Sequence, residues 1–369
     1  MSRPARVAHV TTVDMSLALL LAGELRAQRD AGLDVVGISA PGPYVPRVEA
    51  LGVRHAPVPS LTRSWHPRRD VAAAGELARA LRRERPDVLH THTPKAGVLG
   101  RALGRLLGIP VVVNTCHGLW AGTARHPAVA AVATAVEAAA AWCSDVELYQ
   151  NDRDRQTLRR LTPARRARTV GNGVPLDVFH PDPAGRRRVR AELGVADDEV
   201  LIGGVGRRVA EKGIAELAAV AEELGHRARF VWVGPADPDK PDHLDDAGAA
   251  LTLLGERHDM PALYSALDVF VLPSYREGFS RSAMEAAACG CARVLSDARG
   301  CREVGEHGEH LLQVPVGDAL ALTEAIARLL DHPEERRRLA VAALARARAS
   351  FDQRRLAADS TAAYRDAAH

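Results

Sequence analysis

Short runs of β-branched and apolar residues recur along the whole chain, each followed by a longer stretch in which Ala, Leu and Arg repeat at helical spacing. In the first half the runs are RVAHV, DVVGIS, VRHAPV, DVLHTH, PVVVNTC, DVELYQN and RTVGNG. In the second half they are VLIGGVG, RFVWVG, LTLLG, DVFVLPS, ARVLSD and HLLQVP. Between them lie helical candidates such as SLALLLAGELRAQRDAG and RRDVAAAGELARALRRERP. Strands alternating with helices predict a parallel sheet with crossover helices. Because the unit occurs twice, the pattern predicts an α/β protein of two doubly wound, Rossmann-like domains. A Pro- and Asp-rich segment, VPLDVFHPDPAGRRR at about 174–188, reads as the linker, so the domains are expected at 1–178 and 179–349. The tail from about 333 is strongly helical and opens on the start signal DHPEE.

Length agrees with two cores rather than one: 369 residues exceed what a single core of ordinary size holds. Apolar content of 47% and charged content of 26% are those of a soluble globular protein. The five cysteines, at 116, 143, 289, 291 and 301, lack paired spacing, which points to a reducing, cytoplasmic setting and to no zinc site. Met1-Ser-Arg-Pro runs straight into a strand pattern, so no signal peptide is expected. The longest apolar stretch, PAVAAVATAVEAAAAWC, is interrupted by Glu137 and is too short to span a bilayer. Charge is uneven. Residues 1–180 hold 24 Lys+Arg and 15 Asp+Glu, and the remainder holds 25 and 31. A basic first half suits an anionic partner or an anionic membrane surface, or is simply a solvated arginine-rich face. Seven arginines between Arg153 and Arg168, with the helix at 68–85, mark where a membrane would be met. The basic residues lack interleaved aromatics, which speaks against nucleic acid.

Ligands of open parallel sheets bind beyond the carboxyl ends of the strands. Those ends here are polar: Thr11-Thr12, His90-Thr-His92-Thr93, Asn114-Thr-Cys-His117, Gly171-Asn172-Gly173, Gly206-Arg207 and Pro273-Ser274. Two such domains facing each other would line a cleft with these groups. In GVGRRVAEKG, Gly206 permits a tight strand exit, and Arg207 and Lys212 then flank a loop at a helix start. Helix amides and two cations can converge there on phosphate oxygens; the plainer alternative is a turn with surface charges. Neither a Walker loop nor a dinucleotide fingerprint is present. In DVFVLPSYREGFSRSAMEAAACG, Glu277 follows a strand, the amides of Gly278, Phe279, Ser280, Arg281 and Ser282 approach a helix start, and Glu285 lies in the first turns. Two carboxylates that accept from vicinal hydroxyls, with amides between them, suit a nucleoside-diphosphate sugar; the alternative is that both acids complement the helix dipole.

GRRVAEKG, GNGVPLDVFHP and PSYREGFSRSAMEAAACG, in the order in which they stand, resemble the retaining family 4 glycosyltransferases of the two-Rossmann-domain (GT-B) fold. The signature of that family is a glutamate, seven residues, then a second glutamate. The resemblance covers nearly the whole chain and implies that the closing segment, about 350–369, crosses back to the first domain. It implies that Arg207 and Lys212 bind the donor diphosphate, that Glu277 meets the transferred sugar and that Glu285 holds the ribose. The loop GERHDM, with Arg257, falls where the family packs the base, and His117 in NTCHGLW occupies the family's first-domain histidine position. The implied reaction moves a hexose or N-acetylhexosamine from a UDP-sugar to a glycan or polyprenyl-diphosphate-linked acceptor. It proceeds by same-face transfer in which the departing phosphate helps deprotonate the acceptor. No cofactor or metal is expected, since no Asp-x-Asp follows the relevant strand; Asp237-Pro-Asp239 reads as a turn. Where the family carries a glycine-rich loop after the first strand, this chain has TTVDMSL, its first glycine being Gly23. Asp14, Ser16, His92 and Lys95 are the acceptor-side candidates, Lys95 as the contact for an acceptor phosphate. The competing readings are a sugar-nucleotide 2-epimerase, for which no acid–base constellation is evident, and a non-catalytic sugar-nucleotide sensor.

Overall fold

A computed structural model of the protein describes residues 4–119, 127–159, 161–162, 167–238, 240 and 242–367. It forms two compact units, Met1–Asn172 with Gln353–His369, and Gly173–Asp352. Among the described residues each of the thirteen apolar runs forms a strand, and every pairing between these strands is parallel.

In the first unit these are β1 (Arg6–Val13), β2 (Asp34–Ala40), β3 (Arg54–Pro57), β4 (Val88–His92), β5 (Val111–Cys116), β6 (Val146–Tyr149) and β7 (Ala167–Thr169). They lie in the order β3-β2-β1-β4-β5-β6-β7. The second unit has β8 (Leu201–Val205), β9 (Arg229–Val233), β10 (Leu251–Leu253), β11 (Val269–Leu272), β12 (Ala292–Ser296) and β13 (Leu312–Val314), ordered β10-β9-β8-β11-β12-β13. Each sheet is apolar on both faces because helices cover both. Along β11, Phe270 and Leu272 pack into one core and Val269 and Val271 into the other, the alternation that a pleated strand imposes. In each unit the order reverses at the first strand, β1 or β8. The crevice beyond the carboxyl ends of β1 and β4, and of β8 and β11, is therefore the place for a ligand.

The linker is shorter than the sequence suggests. Its Asp182-Pro183 pair starts a helix, Pro183–Glu192, with the Asp182 carboxylate accepting from the Gly185 N–H at 2.9 Å. The chain changes unit at Asn172/Gly173 and returns at Asp352/Gln353, where the sequence reading puts 178 and 350. Val174 N–H donates to Phe351 O at 2.8 Å, so the outgoing and returning segments pair within the second unit. The tail is two helices, Pro333–Ser350 and Gln353–Ala367, and the second belongs to the first unit. Its Ala363 and Tyr364 are buried with Val7, Val88, Val113 and Leu148.

Beyond β8 a single tight turn, Ala210–Lys212, ends at Gly213, whose φ of 75° lies in the left-handed region. A Cβ there would come within 2.2 Å of the Pro273 carbonyl oxygen. Only glycine lets the β8 loop and the end of β11 approach this closely. Gly213→Ala is expected to cost about 2 kcal/mol or more, from the left-handed backbone and the displaced carbonyl. A melting-temperature drop of several degrees, with weakened nucleotide binding, would show it in a thermal melt; an unchanged melt would refute the close approach.

Candidate active site

In the second unit the reversal at β8 brings Lys212 to Glu277, and Arg207 stands earlier in the same loop after β8. Lys212 Nζ donates to Glu277 Oε1 at 2.7 Å, and Ser274 Oγ donates to the same oxygen at 2.9 Å. Lys212 and Glu277 are mostly but not fully buried, which leaves the pair open on one side. Arg207 is held by Asp237 and by Glu211, the latter at 3.1 Å, and Glu211 also accepts from Arg276 at 3.0 Å. Both cations thus already sit on carboxylates. Gly206 lies beneath Lys212, with room for no more than a Cβ against its side chain and Trp232. Asp237 is not the idle turn residue that the sequence suggests, since it faces Arg207 across the β9–β10 loop; Asp239 lies outside the described residues.

The helix after β11 runs Arg281–Ala288, with Ser280 as its cap, its Oγ accepting from Ala283 N–H at 3.3 Å. Gly300 packs its Cα against the Gly278 carbonyl, so closely that a Cβ would sit 2.5 Å from it. Gly300 N–H also donates to Glu277 O at 3.1 Å. Gly300 and Ser274 thus fix the Glu277 loop; Ser274 is among the polar strand ends that the sequence marks, whereas nothing in the sequence singles out Gly300. Glu285 accepts from Tyr264 OH at 3.0 Å and from Arg281 Nε at 3.0 Å. Burial raises its carboxyl above the usual range, against the pull of Arg281 and Tyr264. Each of its oxygens keeps a lone pair for a further donor.

Two donor-side expectations change, those for the Ser280 amide and for Arg257. The Phe279 ring packs on the core and edge-on to Phe351, with centroids 6.4 Å apart, so only its backbone is left to face a ligand. Ser280 is buried, and its N–H turns toward Gly300 O at 3.4 Å. Of the two serines only Ser282, whose Oγ is 3.4 Å from that of Ser280, remains partly exposed. The Arg257 guanidinium is spent on Glu192, at 2.6 and 2.9 Å, and on Asp259 at 2.9 Å. It therefore ties its loop to the helix Pro183–Glu192 instead of meeting a base.

In the first unit the acceptor-side expectations are mostly corrected. Lys95 is almost fully buried: its Nζ donates to Asp70 at 2.6 Å, Thr62 at 3.2 Å and the Ser64 carbonyl, and stands over the Trp65 ring. An ammonium with all three donors engaged is a strut for the 62–70 loop, not a phosphate contact. Asp14 is buried and accepts from the N–H groups of Met15 at 2.8 Å and Tyr44 at 2.7 Å. Ser16 opens a wide turn, Ser16–Leu20, that closes with Leu21 N–H on Ser16 O at 3.1 Å. His92 is wholly buried.

His117 joins a larger set than the sequence suggests. Its Nε2 is 2.9 Å from His92 Nδ1, and its Nδ1 is 2.9 Å from Gln150 Nε2. His92 Nε2 lies 3.0 Å from His9 Nδ1, and His9 Nε2 lies 2.7 Å from Gln28 Oε1. Gln28 donates to Tyr364 OH at 2.9 Å, and Tyr364 OH is 2.6 Å from His90 Nδ1, whose Nε2 meets Thr115 Oγ1 at 2.7 Å. Burial lowers His9 and His117 to about 4, and it lowers His90 and His92 well below the ordinary value, with the neighbouring histidines adding to the effect. Near this cluster burial raises Glu24 to about 7.

Profiles of two glycosyltransferase families match the chain: "Glycosyl transferase 4-like domain" over residues 20–173, and "Glycosyl transferases group 1" over residues 199–332. The chain is 29% identical over 288 residues to UDP-Gal:alpha-D-GlcNAc-diphosphoundecaprenol alpha-1,3-galactosyltransferase of Escherichia coli, covering 74% of each chain. It is 30% identical over 287 residues to D-inositol 3-phosphate glycosyltransferase of Xylanimonas cellulosilytica, covering 71% of this chain and 68% of that one. Among solved structures, sucrose-phosphate synthase from Thermosynechococcus elongatus superposes with a TM-score of 0.82 over 98% of both chains, at 23% identity, and shares the fold.

The buried neutral imidazoles set a pH dependence of stability. A folded value depressed from 6.5 to about 4 means stability that is complete above 6.5 and lost as pH falls through 4. For His9 alone that amounts to about 3 kcal/mol. Glu24, raised from 4.5 to about 7, acts the other way: its contribution is complete below 4.5 and lost as pH rises through 7. Four imidazoles outweigh one carboxyl, so the melting temperature is expected to fall steeply between pH 6.5 and 4. A flat profile in thermal melts across that window would mean that the imidazoles are not held neutral.

Proposed function

The chain belongs to the group 1, family 4-like glycosyltransferases of the GT-B fold, and from that premise we propose that it transfers a hexosyl or N-acetylhexosaminyl group from a UDP-sugar, with retention, to a hydroxyl of a lipid-linked or glycan acceptor. The observation that carries this reading is the Lys212–Glu277 pair, with Arg207 in the same loop after β8, at the reversal between β8 and β11. An arriving diphosphate takes the place of the carboxylates on Arg207 and Lys212, and Glu277 is released toward the sugar hydroxyls. Glu285 takes the ribose hydroxyls on its remaining lone pairs. As the sugar–phosphate bond breaks, Arg207 and Lys212 stabilise the charge growing on the departing diphosphate. Its oxygen accepts the proton of the acceptor hydroxyl as the new glycosidic bond forms on the same face. His117, partly exposed at the end of β5, orients a hydroxyl of the sugar or acceptor. With two cations on the diphosphate, the transfer needs no metal. The named relatives are transferases, which leaves the epimerase reading without support.

A station at an anionic membrane fits the lipid-linked acceptor named for the Escherichia coli relative. The helix Pro127–Ala141 turns Val129, Val132 and Val136 outward at spacings of three and four, and Trp142 follows, 62% exposed. Arg153, Arg155 and Arg159 follow β6 in the same basic half; Arg160, Arg165 and Arg166 lie outside the described residues. Among the described residues no helix is long and apolar enough to cross a membrane.

Ligand binding, transfer and vesicle flotation test these readings. Thermal shift against UDP-, GDP-, ADP- and dTDP-sugars is expected to single out UDP-sugars, with transfer unaffected by a chelator. Glu277→Ala should abolish transfer while UDP still binds, because Lys212 is left free. Lys212→Ala should weaken UDP by about 1.5–3 kcal/mol, or tenfold and more. Normal transfer by Glu277→Ala would refute the site. In flotation with anionic vesicles the protein should rise with the lipid and Val132→Asp should stay behind; no flotation of either would end the membrane reading.

A further inference from the structure

The hydrogen-bond chain through His117 has a direction, and the direction follows from a single group. An ionised carboxylate only accepts, so Gln28 turns its amide nitrogen to Glu24 Oε1, at 3.3 Å, and to Tyr364 OH. Its carbonyl oxygen then faces His9 Nε2, which must carry a proton. A neutral imidazole has one N–H, so His9 Nδ1 is bare and accepts from His92 Nε2–H. By the same count His92 Nδ1 is bare and accepts from His117 Nε2–H, leaving His117 Nδ1 bare opposite the Gln150 amide. On the other branch Tyr364 OH, already accepting from Gln28, donates to His90 Nδ1, and His90 Nε2–H donates to Thr115. Every donor meets one acceptor from end to end. Turning Gln28 around would reverse His9, His92 and His117 together and set its carbonyl against a carboxylate.

We propose that Glu24 and Gln28, acting through His9 and His92, are positioning residues that hold His117 as its Nε2–H tautomer, so that His117 offers Nδ1 as an acceptor to a substrate hydroxyl that displaces Gln150. The assignment of a substrate to His117 rests on the function proposed above; the tautomer does not. The device reaches from the helix Ala22–Asp30 to the end of β5, across β1 and β4, and the returning helix Gln353–Ala367 carries its second branch through Tyr364. The ring nitrogens of His9, His90 and His92 come within 4.8 Å of one another, a spacing also open to a metal ion. All six of those nitrogens, however, already have a hydrogen-bond partner.

The test uses the full chain with 15N-labelled histidine, without substrate, about one pH unit above the Glu24 carboxyl's value of about 7. Long-range proton–nitrogen correlation separates Nε2–H from Nδ1–H imidazoles, and His117→Asn identifies the His117 signals by their loss. In the wild type His9, His92 and His117 should all be Nε2–H. Glu24→Gln keeps the shape but can donate, so Gln28 loses its fixed sense and His117 should become averaged or Nδ1–H. Turnover should fall about fivefold in kcat with donor KM little changed, the signature of a group that acts on the reacting state. Tyr364→Phe is the internal control: it should free His90 and leave the His117 tautomer unchanged, because Gln28 still faces Glu24. An unaltered His117 tautomer in Glu24→Gln overturns the proposal. So does stoichiometric zinc in the purified protein, since the metal would take the lone pairs that the chain uses. If the tautomer responds as expected but His117→Asn turns over like wild type, then it is the substrate contact that fails, and with it the part given to His117 in transfer.

Discussion

The ends of parallel strands are where this chain places its polar side chains, and covering helices remove many of those ends from water. A buried polar group without a partner costs about 1–3 kcal/mol, and an unpaired buried charge costs more. The two units meet that constraint differently. In the first, the groups at the ends of β1, β4 and β5 are mostly neutral and satisfy one another, Thr12 with Thr93 and four histidines with Gln28, Gln150, Tyr364 and Thr115, while the buried charges of Asp14 and Lys95 are each held locally. In the second, the groups beyond β8 and β11 are charged, stay partly open and pair as Lys212–Glu277 and Arg207–Asp237. The neutral set is built to hold its arrangement, while the charged set can exchange partners without leaving a charge alone.

The fold was legible because its signal is local. A strand buried on both faces needs a continuous apolar run, and each of the thirteen runs became a strand. Lys212 and Glu277 were legible as neighbours because each stands in the loop after a strand and because strand ends converge at the reversal. The corrections concern side chains whose fate depends on a distant partner. Nothing near Lys95 announces that Asp70, across the 62–70 loop, will take its charge, or that Glu192 will take Arg257. Gln28 and Tyr364 are 336 positions apart, so the link between the branches of the histidine chain is invisible until the last helix returns to the first unit. Phe279 divides between the two roles: it sits inside a ligand-facing motif, and its partly buried ring packs against the core while its backbone stays in the motif.

Thr93 shows the same constraint acting on the backbone. It is a β-branched residue at φ 62°, a conformation that costs on the order of 1–3 kcal/mol. Its hydroxyl lies 2.8 Å from that of Thr12 and accepts the Thr12 N–H at 3.2 Å. The turn from β4 into the helix Pro94–Leu106 is thereby drawn toward β1, the neighbour across the reversal. Strain at this point is offset by satisfying the strand end, and it fixes the backbone one residue beyond His92, in the middle of the imidazole chain.

The charged set decides what the second unit can accept. An ion pair that is largely exposed contributes about 0–1 kcal/mol, and the Lys212 and Arg207 pairs are neither fully buried nor fully exposed. Giving up the carboxylates on these two cations is therefore a modest cost, but not a negligible one. A single phosphate reaching one cation would gain one or two charge-assisted bonds, about 1.5–3 kcal/mol each, while displacing a partner that then faces water or another anion. A diphosphate that spans both cations gains several such bonds at once, and the freed Glu277 carboxylate finds hydroxyl donors only if a sugar arrives with it. The exchange is favourable when all three partners come as one molecule, and the apo ion pairs thereby discriminate against its fragments.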